Sequence, residues 1–94
     1  MNQQPSNPAL PPEPSPHRAY TSTQGQYLAF IYYYTKLHRQ PPAERDMYLY
    51  FRTSPSAVHQ MVVSLQKRRL IEKVPGQSRS IRLLVTRQEI PDLA

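Results

Sequence analysis

The spacing of the apolar residues changes near residue 70, and this change restricts the chain to few folds. Before it, apolar residues recur every three or four positions, which is the period of an amphipathic helix. After it, aliphatic and β-branched residues occur in short continuous runs, at 70–74 and 80–85, which favour β-strands. The sequence therefore predicts helices first and strands afterwards.

Three helices are predicted in the first part, over 23–38, 43–51 and 54–69. Ser54 is suited to cap the free amide groups of the third helix, and Pro55 suits its first position. Tyr33 is expected to be exposed, because neighbouring residues lie about 100° apart around a helix. The residues expected on the buried faces are Tyr27, Phe30, Ile31, Tyr34 and Leu37 in the first helix, Met47, Tyr50 and Phe51 in the second, and Val58, Met61, Val62 and Leu65 in the third.

A hairpin is predicted after the third helix. The segment Pro75-Gly76-Gln77-Ser78 has the residue types of a tight turn and separates the two apolar runs. The short link between the second and third helices is typical of a helix-turn-helix motif. The predicted fold class is α+β, mainly α: a winged helix-turn-helix of three helices followed by a two-stranded β-hairpin wing.

Proline content divides the chain into three predicted parts. Six of the 11 prolines lie within residues 1–16, a segment with almost nothing to bury. Residues 1–19 are therefore predicted to be a disordered tail with polyproline II character, and their PxxP spacings leave open a docking site for a proline-binding domain. Residues 20–87 are expected to form the winged-helix domain, and residues 88–94 a short C-terminal tail.

Charge points to the class of partner. Residues 20–87 hold 11 Lys and Arg against three Asp and Glu, which gives a net charge of +8. A small domain with this excess repels itself and favours a polyanion such as nucleic acid. A basic surface that only confers solubility is the alternative.

Composition excludes several other classes. The chain has no Cys, which removes disulfides, cysteine zinc sites and thiol nucleophiles. We find no carboxylate pair, nucleophile with base, or phosphate-binding loop, so no enzyme, cofactor or small-molecule substrate is predicted. The three His lie far apart, so no metal site is predicted. With no membrane span and no signal peptide expected, the chain is interpreted as intracellular.

The third helix has a polar face opposite its apolar one. Its residues are small or polar near the start and cationic near the end, namely Ser56, His59, Gln60, Val63, Lys67, Arg68 and Arg69. This order suits a helix that reads base edges with its first turns and meets phosphates with its last. The hairpin adds Arg79 and Arg82, which are suited to phosphates beside the groove. An ordinary solvated helix face is the alternative.

The segment from Thr23 to Leu84 resembles the N-terminal DNA-binding domain of LexA-type repressors. The residues that carry the resemblance are Pro41-Pro42, Ser54-Pro55, Leu70-Ile71-Glu72 and the run Gly76-Gln77-Ser78-Arg79-Ser80-Ile81-Arg82-Leu83-Leu84. The resemblance implies base contacts from the third helix and backbone contacts from the wing. The base-reading residues would be Ser54, Ser56, Ala57, His59 and Gln60. The backbone contacts would be Lys67, Arg68, Ser78, Arg79 and Arg82.

Three departures from the family pattern affect what is expected. His59 and Gln60 stand where LexA-type proteins commonly carry acidic residues, so a different target sequence is expected. Arg69 occupies the junction where the family usually has Gly. About ten residues follow the wing, so the self-cleaving C-terminal dimerisation domain is not expected.

The function predicted from these features is sequence-specific binding of double-stranded DNA by a small bacterial transcriptional regulator, in the cytoplasm at the nucleoid. A homodimer is possible, through the tyrosine-rich first helix or by pairing on DNA. The alternative is a winged-helix protein-interaction module, which Val63 on the polar face supports. RNA binding has less support, because no aromatic platform is evident.

Overall fold

Three helices are followed by a two-stranded antiparallel sheet in the computed structural model, which describes residues 20–94. The elements are α1 (Ser22–His38), α2 (Glu44–Phe51), α3 (Pro55–Lys67), β1 (Ile71–Glu72) and β2 (Arg82–Leu83), then a 3-10 turn at Arg87–Glu89. Ile71 pairs with Leu83, and Glu72 pairs with Arg82. The predicted α+β winged helix is confirmed. The tail predicted for residues 1–19 lies outside the described residues.

Side-chain hydrogen bonds fix the start of α1. Thr21 Oγ1 accepts from the Gln24 backbone N–H at 3.1 Å, and Gln24 Oε1 accepts from the Thr21 N–H at 2.9 Å, which is a capping box. Gln24 is buried, and its Nε2 donates to Ser64 Oγ in α3 at 3.1 Å. A buried amide without partners would be costly. This one residue therefore caps α1 and joins it to α3.

The other two helices are also capped. Asp46 Oδ2 accepts from the Ala43 backbone N–H at 2.8 Å, so α2 begins at Glu44, one residue later than predicted. Ser54 Oγ accepts from the Ala57 N–H at 3.1 Å, and Pro55 takes the first position of α3, as predicted. This cap sets the direction in which α3 leaves the preceding turn.

The core lies between the three helices and the sheet. Its fully buried side chains include Leu28, Ile31, Met47, Val58, Val62, Leu65, Leu70 and Ile71. The predicted inner face of α3 is therefore confirmed at Val58, Val62 and Leu65. In α1 the prediction is wrong at Leu37, which is 77% exposed, because burial along this helix ends at Ile31. Tyr50 of α2, also expected inside, is 46% exposed.

A C-terminal segment, residues 87–94, covers a second side of α1. The Tyr20 hydroxyl donates to the Glu89 carbonyl. Gln26 Nε2 donates to the Asp92 carbonyl at 3.0 Å, and Gln26 Oε1 accepts from the Ala94 N–H at 2.7 Å. Ile90 is buried in the core. Leu28 and Ala29, off the predicted apolar stripe of α1, are buried as well.

Arg87, within this segment, attaches it to α1. Its guanidinium donates to the Tyr33 hydroxyl at 2.9 Å and to the Ile90 carbonyl at 3.1 Å, and it pairs with Asp92 at 3.2 Å. The group also lies 5.3 Å from the centroid of the Tyr32 ring. Tyr33 is therefore half-buried rather than exposed, contrary to the prediction.

The wing contains less strand than predicted. Residues 74–77 form a turn that is closed by the Gln77 N–H, which donates to the Val74 carbonyl at 3.2 Å. With Pro75 as its second residue, this turn requires a positive φ at its third residue, and Gly76 has φ 73°. Ser80 Oγ accepts from the Val74 N–H at 3.0 Å. This side-chain bond takes the place of a ladder bond, and Arg79 has φ 53°, so β2 begins only at Arg82.

Candidate nucleic-acid interface

The predicted base-reading residues all lie on the solvent side of the α3 N-terminal half. These exposed residues are Ser54, Ser56, Ala57, His59 and Gln60. Val63, on the same face, is half-buried. The Ser54 hydroxyl is occupied by the helix cap and lies 3.3 Å from Ser56 Oγ. Ser54 therefore orients the helix, and the outward side chains beyond it form the surface.

One carboxylate joins this surface to α2 and the wing. Glu44 Oε2 lies 3.5 Å from His59 Nδ1 and 3.3 Å from Lys73 Nζ. The His59 side chain is 64% exposed, so it keeps access to solvent while Glu44 restricts its orientation. Glu44 also stands in the first turn of α2, where the helix dipole favours an acidic residue. The three side chains join α2, α3 and the residue after β1 around one surface.

Arg79 anchors the wing to the helices. Its Nη1 donates to the Tyr34 hydroxyl at 3.0 Å and the Pro41 carbonyl at 3.3 Å, and it lies 3.1 Å from Asp46 Oδ2. The hydrogen bond to Tyr34, with Asp46 adding to it, raises the pKa of the Arg79 guanidinium above its ordinary value. All three contacts are made through Nη1, and a guanidinium has further donors on Nη2 and Nε.

The other residues predicted to contact the DNA backbone are exposed and lie at two places on the domain. Arg82 forms an ion pair with Glu72, its partner across the sheet. Ser78 lies at the exposed end of the wing. Lys67 and Arg68 are exposed at the end of α3. The structure thus puts these residues in two groups, one at the C-terminal end of α3 and one on the wing.

The structure adds two exposed cations beside α3 that the sequence-based set of contacts omits. Arg52 ends α2 with φ 55°, and Arg69 follows α3 with φ 60°. The junction where the LexA pattern has Gly thus keeps its left-handed conformation with Arg69 in place. Local sequence gave no signal for Arg52, because only the backbone angle distinguishes it from an ordinary surface cation.

No group of three or more His, Cys, Asp or Glu within residues 20–94 is arranged to hold a metal ion. Over the same residues, none of the helices has the length and apolar content needed to cross a lipid bilayer.

The sequence matches no protein-family model. It is similar to the LexA repressor of Thermosipho melanesiensis, with 38% identity over 69 residues. The match covers 73% of this chain and 34% of the relative, so the chain spans about a third of the length of the curated relative it matches. Together with the three helices and the wing, this similarity supports the resemblance that the motifs indicate: the chain carries a LexA N-terminal-like domain.

Proposed function

We propose that this chain binds double-stranded DNA in a sequence-specific manner and regulates transcription. The observation that carries the proposal is the joint exposure of the polar face of α3 and the cationic wing on a domain similar to part of a repressor. The net charge of +8 over residues 20–87 supplies the attraction to a polyanion.

In this proposal the N-terminal half of α3 enters the major groove. Gln60 presents an amide that can both donate and accept, which suits the edge of adenine, and His59 presents a ring nitrogen. The Ala57 methyl group suits the methyl group of thymine. Ser56 adds a hydroxyl, and Ser54 holds the first turn in place. None of these five is a Lys or Arg, so their proposed role is to discriminate between bases rather than to supply general affinity.

Cations at the two edges of this surface would neutralise phosphates. Lys67 and Arg68 serve the end of α3, while Arg79 and Arg82 serve the wing, where the neutral Ser78 hydroxyl would add a hydrogen bond to a phosphate oxygen. Arg79 would use the donors on Nη2 and Nε while Nη1 keeps the wing attached to Tyr34 and Asp46. Each such contact displaces a condensed counterion, so affinity would fall as salt rises.

A transcriptional regulator binds chromosomal DNA, so we propose that the chain is located in the bacterial cytoplasm, at the nucleoid. One module offers one reading helix and therefore one half-site. Two copies on a palindromic site would double the contact area, and the spacing of the half-sites would then report their arrangement.

Selection of bound sequences from a random duplex pool tests the proposal. We expect one enriched motif and, for that duplex, a linear fall of log affinity with log salt concentration. Amide chemical shifts in the complex should change at α3 and the wing. A pool without enrichment would refute sequence-specific binding. Shift changes confined to α1 and residues 87–94 would instead favour a protein-interaction module.

A further inference from the structure

Every non-glycine residue with positive φ among residues 20–94 is an arginine. They are Arg39 at φ 63°, Arg52 at 55°, Arg69 at 60° and Arg79 at 53°. The left-handed region brings Cβ close to the following carbonyl oxygen, so helices that end this way usually use Gly or Asn. Arginine at such a position is strained relative to glycine, so a role for its side chain is worth seeking at each of the four.

Arg79 has such a role within the domain. Its guanidinium binds Tyr34, Pro41 and Asp46, and these contacts hold the wing. The other three arginines are exposed, and over residues 20–94 their side chains make no hydrogen bond or ion pair. Internal contacts therefore explain one of the four positions and leave Arg39, Arg52 and Arg69 without a structural reason to be arginine.

Arg52 and Arg69 stand at opposite ends of α3. Arg52 precedes the Ser54 cap by two residues, and Arg69 directly follows Arg68, the residue that ends the helix. With 13 residues, α3 is about 20 Å long. The major groove is only about 12 Å wide. A helix of this length placed in the groove brings both ends to the sugar–phosphate backbones that border it.

We infer that Arg52 and Arg69 bind phosphates of duplex DNA, one at each end of α3, and that their charge compensates for the strained backbone beneath them. The inference rests on the proposed function and extends it to Arg52, which the sequence patterns did not single out, and to Arg69, which they placed at the cationic end of α3 but not among the backbone contacts. It predicts that replacing either arginine by glycine relieves the backbone strain and raises stability, but weakens the binding of DNA.

Three substitutions at each position separate the two effects. Glycine removes both the strain and the charge, glutamine removes the charge and keeps the strain, and lysine keeps both. Arg39 is the matched control, because it ends α1 with the same backbone geometry but does not border α3. Each purified variant of the full chain is melted by circular dichroism and titrated with a labelled 20-base-pair duplex of mixed sequence at several salt concentrations.

We expect R39G, R52G and R69G all to melt about 4 °C higher than the parent protein. R52G and R69G should bind the duplex about five- to tenfold more weakly at 0.1 M salt, and their slope of log affinity against log salt should fall by about 1. The glutamine variants should lose the same affinity without melting higher. R52K, R69K and R39G should keep the parent slope.

Two results would overturn the inference while leaving the proposed function intact. One is parental affinity and slope in R52G and R69G, and the other is an equal loss of slope in R39G, which would reflect net charge rather than position. Glycine variants that melt lower than the parent would overturn the claim of strain. A parent protein whose duplex binding does not respond to salt would instead refute the proposed function itself.

Discussion

Substitution of Gly25 by alanine tests whether residues 87–94 are packed on α1. In an exposed helix this change stabilises by about 1 kcal/mol, because glycine has the poorer helix propensity. Here a methyl group on residue 25 would lie 2.8 Å from Tyr20 Cε1 and 3.0 Å from Pro91 Cγ. Neither neighbour moves freely: the Tyr20 hydroxyl is bonded to Glu89, and Pro91 is a rigid ring. Tyr20, held by Glu89, and Pro91 of the C-terminal segment together thus reverse the sign of the effect.

The two opposing terms give the expected magnitude. Overpacking of this kind costs about 1–3 kcal/mol. After subtracting the gain in helix propensity, Gly25→Ala should lower the free energy of unfolding by roughly 1 kcal/mol. For a chain of this size the melting temperature should fall by about 4–8 °C.

Urea and thermal unfolding followed by far-ultraviolet circular dichroism give the measurement. Thr23→Ala, at an exposed position in the same turn of α1, controls for helix propensity. Pro91→Ala removes the second contacting carbon, so the double variant should recover part of the loss. Stabilisation by Gly25→Ala of about 1 kcal/mol, as in a solvated helix, would show that the C-terminal segment does not lie against residue 25.

Three further predictions concern the site and the core. Gln60→Ala should change which duplex is preferred by about 1–3 kcal/mol of discrimination, whereas Lys67→Ala should weaken all duplexes alike; an unchanged selection motif would contradict the base-reading role. Asp46→Ala should cost about 1–2 kcal/mol in urea unfolding, because it removes the cap of α2 and a partner of Arg79. Burial raises the pKa of Tyr27, so its neutral form stabilises the fold below pH 10 and this contribution is lost as pH rises through the folded pKa. Tyr27→Phe should therefore flatten the fall in stability between pH 9 and 11, and an unchanged slope would assign that fall to other groups.

The sequence was most informative where local chemistry decides the structure. Ser54 and Pro55 predicted the start of α3 correctly, because a cap and a first-turn proline act within a few residues. The period of Val58, Val62 and Leu65 predicted the buried side of α3. That helix is covered from one side, so a single apolar stripe describes its fully buried residues, and Met61 at the edge of the stripe is half-buried.

The same reasoning failed where distant parts of the chain meet. The stripe on α1 did not identify Leu28 and Ala29, both of which are buried, because a single stripe assumes that a helix is covered from one side only. It also placed Leu37 inside, although the last turn of α1 extends beyond the core. In the wing, the runs 70–74 and 80–85 have strand composition, yet the hydroxyl of Ser80 and the positive φ at Arg79 leave only two residues of strand on each side.

At the candidate site, the helical period of the sequence predicted which α3 residues are exposed. It did not predict which acidic side chains lie beside the arginines of the wing and the C-terminal segment. Composition counts Arg79, Arg82 and Arg87 simply as cations. Each of them has an acidic partner, Asp46, Glu72 and Asp92 respectively. Those pairings depend on the tertiary fold, so a count of charges overstates how many cations are unpaired.

The wing is fastened at its turn by Ser80 and to the helices by Arg79. A wing held in this way has little conformational freedom left to lose when the domain binds duplex DNA as proposed. Binding should therefore bring together two surfaces that are already formed. Calorimetry of complex formation should then show a heat-capacity change no larger than the buried contact area requires, without the excess that accompanies folding coupled to binding.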